Sequence, residues 1–420
     1  MSQAVSLKKN FAVTLLGNFA YGGAQWAMIV VIAKLGTPEM MGRFVLAMAV
    51  TAPVVMFSNL SLRAVLATDA QEKYAFGDYL ALRLLMLSGA VLLIVVMALF
   101  SGYDRELAWV VVLVGLAKAF EAVSDLFFGL MQHHEKMSRI SMSLVVKGAL
   151  SLGLFALGLY ATRSLLWGCV CLLAAWMSSL LAYDLWNARR SFDPGVPRPS
   201  FLPRWSWPHA RALFLTALPL GLAALLDTLV VNIPRYFVGG LLGERGLGFF
   251  AAMAYVPIVG ARVVNALGAS AVPRLARYYQ RGEPAHYRNL LLKMLGVGLA
   301  IGIGGLLVVL VGGKEILTLI YKPEYAERVG AFIWIMIAAG IGYVAMFFGC
   351  GLTAAQKFFI QPIVLASASA VLAGACAVFI PRYGITGAAM AMAAGALAQA
   401  VGNAYFAWRA LEAITARAKT

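Results

Sequence analysis

Between the apolar runs LAWVVVLVGLA and SLVVKGALSLGLFALGLY lies the stretch KAFEAVSDLFFG, Lys118 to Gly129. It carries three ionisable side chains, Lys118, Glu121 and Asp125, at spacings of three, four and seven, which put all of them on one helix face. Charge inside an apolar segment is expensive and turns toward a bundle interior or a wet cavity. Two readings stand: an ion cluster that satisfies itself and fixes helix packing, or a cavity lining in which Glu121 or Asp125 exchanges a proton. Asp227 and Arg235 lie two turns apart in a later apolar segment, too far for direct pairing. Arg262 follows YVPIVGA and precedes VVNALG, with no acid near it in the chain. A guanidinium fork matches phosphate oxygens, so Arg262 is a candidate anion ligand. Its alternative is an ion pair with Glu121 or Asp125 from another helix. Asn18, Tyr21 and Gln25 form one polar stripe, and Asn232 takes in the second half the place of Gln25 in the first. Amides and hydroxyls so placed suit sugar hydroxyls, or hydrogen bonds between helices. Pro53 and Pro257 fall at similar places in the two halves, and each predicts a kink that either hinges or simply shapes a bundle.

The elements that position these residues are membrane helices. Of 420 residues 62% are hydrophobic and 12% charged, and the mean hydropathy is +0.83. A soluble domain has about a quarter charged residues, and no soluble fold of this size buries so much apolar surface. The 41 glycines, and runs such as GAAMAMAAGALAQAVGNA, suit close helix packing in lipid. Segments of about 20 apolar residues are needed to span. They are expected at 11–34, 44–62, 79–100, 107–132, 141–160 and 165–186, then at 213–241, 247–272, 290–311, 329–355, 361–379 and 385–408. The basic start, MSQAVSLKKNFAVTLLGN, reads as a retained first span rather than a cleaved signal.

The net charge of +16 reads as loop lysines and arginines on the cytoplasmic side rather than as a nucleic-acid surface. With both termini inside, most basic residues fall on cytoplasmic segments, among them Arg83, Lys147, Arg274, Arg277 and Arg281. The stretch NARRSFDPGVPRPSFLPRWSWPHAR, Asn187 to Arg211, is a Pro- and Arg-rich linker. The expected organisation is an N-terminal six-helix lobe at 1–188, a cytoplasmic linker at 189–212 and a C-terminal six-helix lobe at 213–420. The halves resemble one another: KLGTPEMMGRFVLAMAVTAPV matches LLGERGLGFFAAMAYVPI, and LFFGLMQHHEK matches MFFGCGLTAAQK. The fold class is therefore all-α and polytopic, with about twelve transmembrane helices in two bundles related by a pseudo-two-fold along the membrane normal, and a site between them.

Soluble-enzyme signatures are missing from the sequence. There is no P-loop, and no convergent acid, base and nucleophile set. His133, His134, His209 and His286 fall in cytoplasmic loops and read as surface or headgroup residues rather than metal ligands. Cys169, Cys171, Cys350 and Cys376 lie in apolar segments and read as packing residues.

Three stretches carry a resemblance: GGAQWAMIVVIAKLGTPEMMGRFVLAMAV, SNLSLRAVLATD and VNALGASAVPRLARYYQRGE. With them the chain resembles the O-antigen-type polysaccharide flippases of the multidrug/oligosaccharidyl-lipid/polysaccharide exporter superfamily. The resemblance implies a bacterial inner-membrane transporter working by alternating access, without a catalytic site or a bound cofactor. Its substrate would be an undecaprenyl-diphosphate-linked oligosaccharide, as in lipopolysaccharide synthesis, moved from the inner to the outer leaflet. A cationic cavity is implied; Arg262 and Arg235 fit it, and Arg63 and Lys34, near helix ends, are further diphosphate candidates. Asn18, Tyr21, Gln25 and Asn232 would line the sugars. Lys118, Glu121, Asp125 and Asp227 would couple transport to a proton or sodium gradient, or form a structural ion cluster. A monomer is expected, surrounded by membrane lipids, with a polysaccharide polymerase and chain-length regulator as partners and no nucleic acid. The rival expectations are a multidrug or cation exporter of the same superfamily, and a membrane polysaccharide polymerase or acyltransferase.

Overall fold

The computed structural model describes residues 7–69, 73–192, 200–357 and 359–417, and all regular structure among them is helical. Helices are what a chain in hydrocarbon must form, because each backbone N–H and C=O finds its partner within the segment. The order is α1 (Leu7–Leu35), α2 (Pro38–Asn59), α3 (Leu62–Thr68), α4 (Phe76–Phe100), α5 (Arg105–His133), α6 (Met137–Thr162) and α7 (Leu165–Ser178). A π-helical stretch, Ser179–Asp184, carries α7 into α8 (Leu185–Arg189). Then follow α9 (Trp207–Tyr255), α10 (Ile258–Gln280), α11 (Pro284–Ile320), α12 (Pro323–Ala326), α13 (Val329–Ala354) and α14 (Ile360–Arg417). Polar caps set several starts: the Thr37 side chain accepts the Met40 N–H with Pro38 in the first turn, and Asp104 accepts the Leu107 N–H at 2.7 Å.

Among the described residues, ten helical segments are long and apolar enough to cross a membrane. Two of them, Trp207–Gln280 with 74 residues and Ile360–Ala416 with 57, are too long for one crossing. At about 1.5 Å per residue the first would run several times the thickness of a bilayer core. Each is broken at a glycine with positive φ, Gly243 (φ 70°) and Gly384 (φ 58°), a backbone that side chains strongly disfavour. These breaks fall between the expected segments seven and eight, and eleven and twelve, so the chain is a multi-pass membrane protein, with twelve crossing lengths among the described residues. Large apolar side chains such as Leu92, Phe100, Leu307 and Val311 are exposed on the outside of their helices, where lipid would cover them.

The chain forms two compact units, Met1–Asn232 and Ile233–Thr420, and the division falls within α9. Of the expected linker, residues 193–199 lie outside the described residues. In the first unit α1 packs on α6, α2 on α4 and α5, and α5 on α7. Its core gathers Leu60, Leu62, Phe76, Tyr79, Phe127 and Leu130, and Leu213 and Ala217 of α9 join it. In the second unit α13 packs against α10, α11 and α14. The core there is built from Val264, Leu275, Tyr287, Met294, Tyr343 and Phe347. Tyrosines tie its backbone together: Tyr287 Oη donates to Gly351 O at 2.9 Å and Tyr321 Oη to Ala252 O at 2.7 Å. Pro257 stands in the turn between α9 and α10, and Tyr343 Oη donates to its carbonyl at 2.6 Å. Pro53 is buried inside α2, which stays helical past it to Asn59.

Two charges counted with the cytoplasmic segments are buried instead. Arg83 is seven residues into α4 and Lys147 ten residues into α6, and neither side chain reaches solvent. Both fall inside the expected spans 79–100 and 141–160, so counting them with the cytoplasmic segments mistook charges within a span for charges beside one.

Gly302 and Gly340 let α11 and α13 touch through their backbones: a Cβ on Gly302 would lie 2.6 Å from Gly340 Cα, whereas one on Gly304 would meet nothing within 4 Å. Gly302→Val should lower the thermal unfolding midpoint of the detergent-solubilised protein, at a cost of about 1–3 kcal/mol, while Gly304→Val leaves it within a degree or two. Equal midpoints for the two variants would contradict the close approach.

Candidate functional site

α5 is the spine of a charged network in the first unit. Lys118 Nζ lies 2.8 Å from Glu121 Oε2, the pairing that a spacing of three on one helix allows. Lys118 also sits over the Trp176 ring at 5.0 Å, a cation–π contact with α7. The other Glu121 oxygen accepts a hydrogen bond from Tyr21 Oη of α1. One turn on, Asp125 is paired with Arg63 of α3 at 2.9 Å, and Arg63 Nε donates to Gln132 Oε1 at 3.2 Å. Arg63 lies 5.8 Å and Lys147 4.9 Å from the centre of the Phe128 ring. Lys147 closes the series with an ion pair to Asp184 at 3.1 Å, the two side chains 1% and 0% exposed. The π-helical stretch ends at Asp184, and such wide turns re-aim side chains within a helix. Nearby, Arg83 Nη1 of α4 donates to Asn59 Oδ1 at the end of α2.

The expected residues fall into three groups. Lys118, Glu121, Asp125, Tyr21 and Arg63 are brought together, so both carboxylates offered as partners for Arg262 already hold cations of their own unit. Tyr21 hydrogen-bonds Glu121; Gln25, one turn on, is half-buried. Asn18 and Asn232 each donate one amide N–H to their own helix, at Thr14 O and Thr228 O, both at 2.8 Å; Asn18 is exposed and Asn232 buried. Lys34 is exposed in the last turn of α1, and Asp227 is exposed on α9. In the second unit Arg235 is half-buried with its guanidinium 5.5 Å from the Tyr255 ring centre, and Arg262 is exposed on α10. Lys147–Asp184 and Arg83–Asn59 escaped the sequence reading. Their signal is a single charge inside an apolar run: SLVVKGALSLG, SLLAYDLW, YLALRLLML.

A second polar assembly holds the segment before α9 against the start of α4. Arg204 N donates to Gly77 O at 2.9 Å. The buried Asp78 carboxylate accepts the Ala75 N–H at 3.1 Å and faces Arg204 Nε at 3.8 Å and His209 Nδ1 at 3.4 Å. A cavity of about 910 Å³ opens here, lined among others by Asp69, Lys73, Tyr74, His133, His134, Arg204 and His209. Burial pushes the Asp69 carboxyl up, but the Lys73 N–H, the Tyr79 hydroxyl and the Tyr74 N–H outweigh it and hold it below the usual carboxylate range. Among the described residues no three His, Cys, Asp or Glu side chains are placed to hold a metal ion.

The buried pair makes a sharp test of this network. Asp184→Asn strands the Lys147 charge among apolar groups, a loss of about 3–5 kcal/mol, and should show as a large fall in unfolding midpoint and folded yield. Combining Lys147→Met with Asp184→Leu should recover most of it, because no uncompensated charge remains.

A family model described as "Polysaccharide biosynthesis protein" matches residues 7–279. The capsular polysaccharide biosynthesis protein CapF of Staphylococcus aureus is 25% identical over 404 residues, which cover 95% of this chain and 98% of that protein. Among solved structures, a multidrug resistance MATE family transporter of the MOP superfamily in an inward-facing conformation is similar with a TM-score of 0.73 at 13% identity, over 96% of this chain and 95% of that one. The lipid II flippase MurJ, in an inward closed conformation, gives a TM-score of 0.72 at 10% identity, over 97% of this chain and 90% of that one. At such identities the likeness is one of fold.

Proposed function

The chain belongs to the polysaccharide biosynthesis protein family, and from that premise we propose that it is a flippase for a lipid-linked oligosaccharide. The cargo is a repeat unit on undecaprenyl diphosphate, moved from the inner to the outer leaflet of a bacterial cytoplasmic membrane. The observation that carries the reading is the family match across more than half the chain; the fold shared with a lipid II flippase supports it. A capsular repeat unit is as well supported as an O-antigen one, since the relative that aligns over nearly the whole chain is named for capsule synthesis.

The chemistry divides along the cargo. The lipid tail stays in the bilayer, so only the diphosphate and sugars need shielding from hydrocarbon. Arg262, exposed on α10, and Arg235 offer planar N–H forks to phosphate oxygens. Asn18 and Gln25 on α1 offer amides to sugar hydroxyls. Arg63 and Lys118 are held by Asp125 and Glu121. An ion gradient, of protons or sodium, is the drive this reading assigns to the cycle, with the paired charges around Glu121 and Asp125 as its coupling site. No bond in the cargo is made or broken, and no catalytic residue is needed. Lys34 adds positive charge at the end of α1. The reading keeps both termini in the cytoplasm and has a polymerase and chain-length regulator act on the flipped unit.

The fold shared with a multidrug transporter favours one competing reading, export of small cations. Lipid mass spectrometry of a deletion strain separates the two. A flippase leaves a complete repeat unit accumulating on undecaprenyl diphosphate and removes the surface polymer, whereas a cation exporter leaves the lipid pool unchanged and alters drug sensitivity. In the complemented strain Arg262→Ala should cut polymer export by about tenfold or more, and Arg262→Lys should keep part of it, because the charge survives without the fork. A well-expressed, fully active Arg262→Ala protein would remove Arg262 from the binding role.

A further inference from the structure

The end of α10 and the turn after it read PRLARYYQRGE, Pro273 to Glu283, with Arg281 at the helix C-cap. Arg274, Arg277 and Arg281 recur at spacings of three and four, so they share one face with Tyr278 beside them. All three arginines are exposed, and they and Tyr278 line a cavity of about 350 Å³. Tyr278 is held from two sides. Its hydroxyl accepts a hydrogen bond from Arg274 Nε at 3.1 Å, and its ring stacks on His286 with centroids 5.4 Å apart. The carboxylate of the turn, Glu283, faces His286 Nδ1 at 3.5 Å. Among the described residues no carboxylate comes within ion-pair distance of the three guanidiniums.

Three like charges held on one face repel one another. The carbonyls at the end of α10 offset about half a charge, so most of the positive field is left for an external anion. The rest of α10 gives that anion a direction. Arg262 lies fifteen residues before Arg277, about 22 Å along the axis and about 60° round it. A phospholipid phosphodiester carries a single charge, whereas a sugar-capped diphosphate carries two on neighbouring phosphorus atoms and can occupy two forks at once.

We propose that Arg274, Arg277 and Arg281 form a phosphate-binding site that captures the diphosphate of a polyprenyl lipid before it reaches Arg262. This rests on the flippase reading, and it places first recognition at the end of α10, outside the apolar span. Tyr278 keeps the Arg274 fork in place, and the site is wet, so its affinity falls as ionic strength rises.

The test uses the full-length protein in detergent and follows binding by native mass spectrometry. The probes are undecaprenyl diphosphate, undecaprenol and phosphatidylglycerol. The wild-type protein is expected to prefer undecaprenyl diphosphate to undecaprenol. Arg274→Gln, Arg277→Gln and Arg281→Gln combined should weaken the diphosphate by about tenfold or more and phosphatidylglycerol far less. A wild-type preference that survives intact in the triple variant overturns the capture site and leaves the flippase reading standing. Equal losses for phosphatidylglycerol and undecaprenyl diphosphate also overturn it, making the patch a general contact with anionic lipid. No preference for the diphosphate in the wild-type protein defeats the flippase reading itself. Should the triple variant fail to fold, Arg277→Gln alone must weaken the diphosphate several-fold, and an unchanged affinity overturns the proposal.

Discussion

An ionised group inside an apolar bundle must be answered by a counter-charge or a hydrogen bond, and the first unit is built around that requirement. Apolar contacts between helices give little direction in lipid, because the tails are as apolar as the side chains. Polar pairs supply what those contacts lack. Tyr21 on Glu121 ties α1 to α5, Arg63 on Asp125 ties α3 to α5, and Lys147 on Asp184 ties α6 to the π-helical stretch. Each bond is satisfied only in one register, so a slipped helix would strand a charge. The phenylalanine between Arg63 and Lys147 lets two cations share a short span, with its ring face toward both.

The second unit answers to a different rule. Among its described residues, tyrosine hydroxyls on backbone carbonyls supply much of what orders the helices, beside an ion pair of Arg245 with Glu324 at 3.8 Å. Its arginines on α10 stay exposed. The first unit thus pairs the charges it buries, and the second leaves the arginines of α10 exposed.

Most of the fold was legible in the chain, because span length and apolar content are local properties. Even the two long helices part at glycines that sit where loops were expected. The ion cluster on α5 was half legible. Lys118 and Glu121 pair at a spacing visible in the sequence, but Tyr21 is a hundred residues from Glu121 and Arg63 is sixty-two from Asp125. Such pairings depend on which helices pack, which no local pattern specifies. Arg83 and Lys147 misled for another reason: each is a lone charge inside an apolar run, and the group that answers it, Asn59 or Asp184, lies elsewhere in the chain.

Gly243 and Gly384 join successive crossings with almost no chain between them. A protein so closed at those two joints presents no excursion of backbone there for a protease to bind in extended form, nor an epitope for an antibody to grip. An affinity tag inserted at either joint would have to prise the crossings apart. Topology mapping, and any reagent meant to recognise the folded protein from that side, would have to work through the remaining loops.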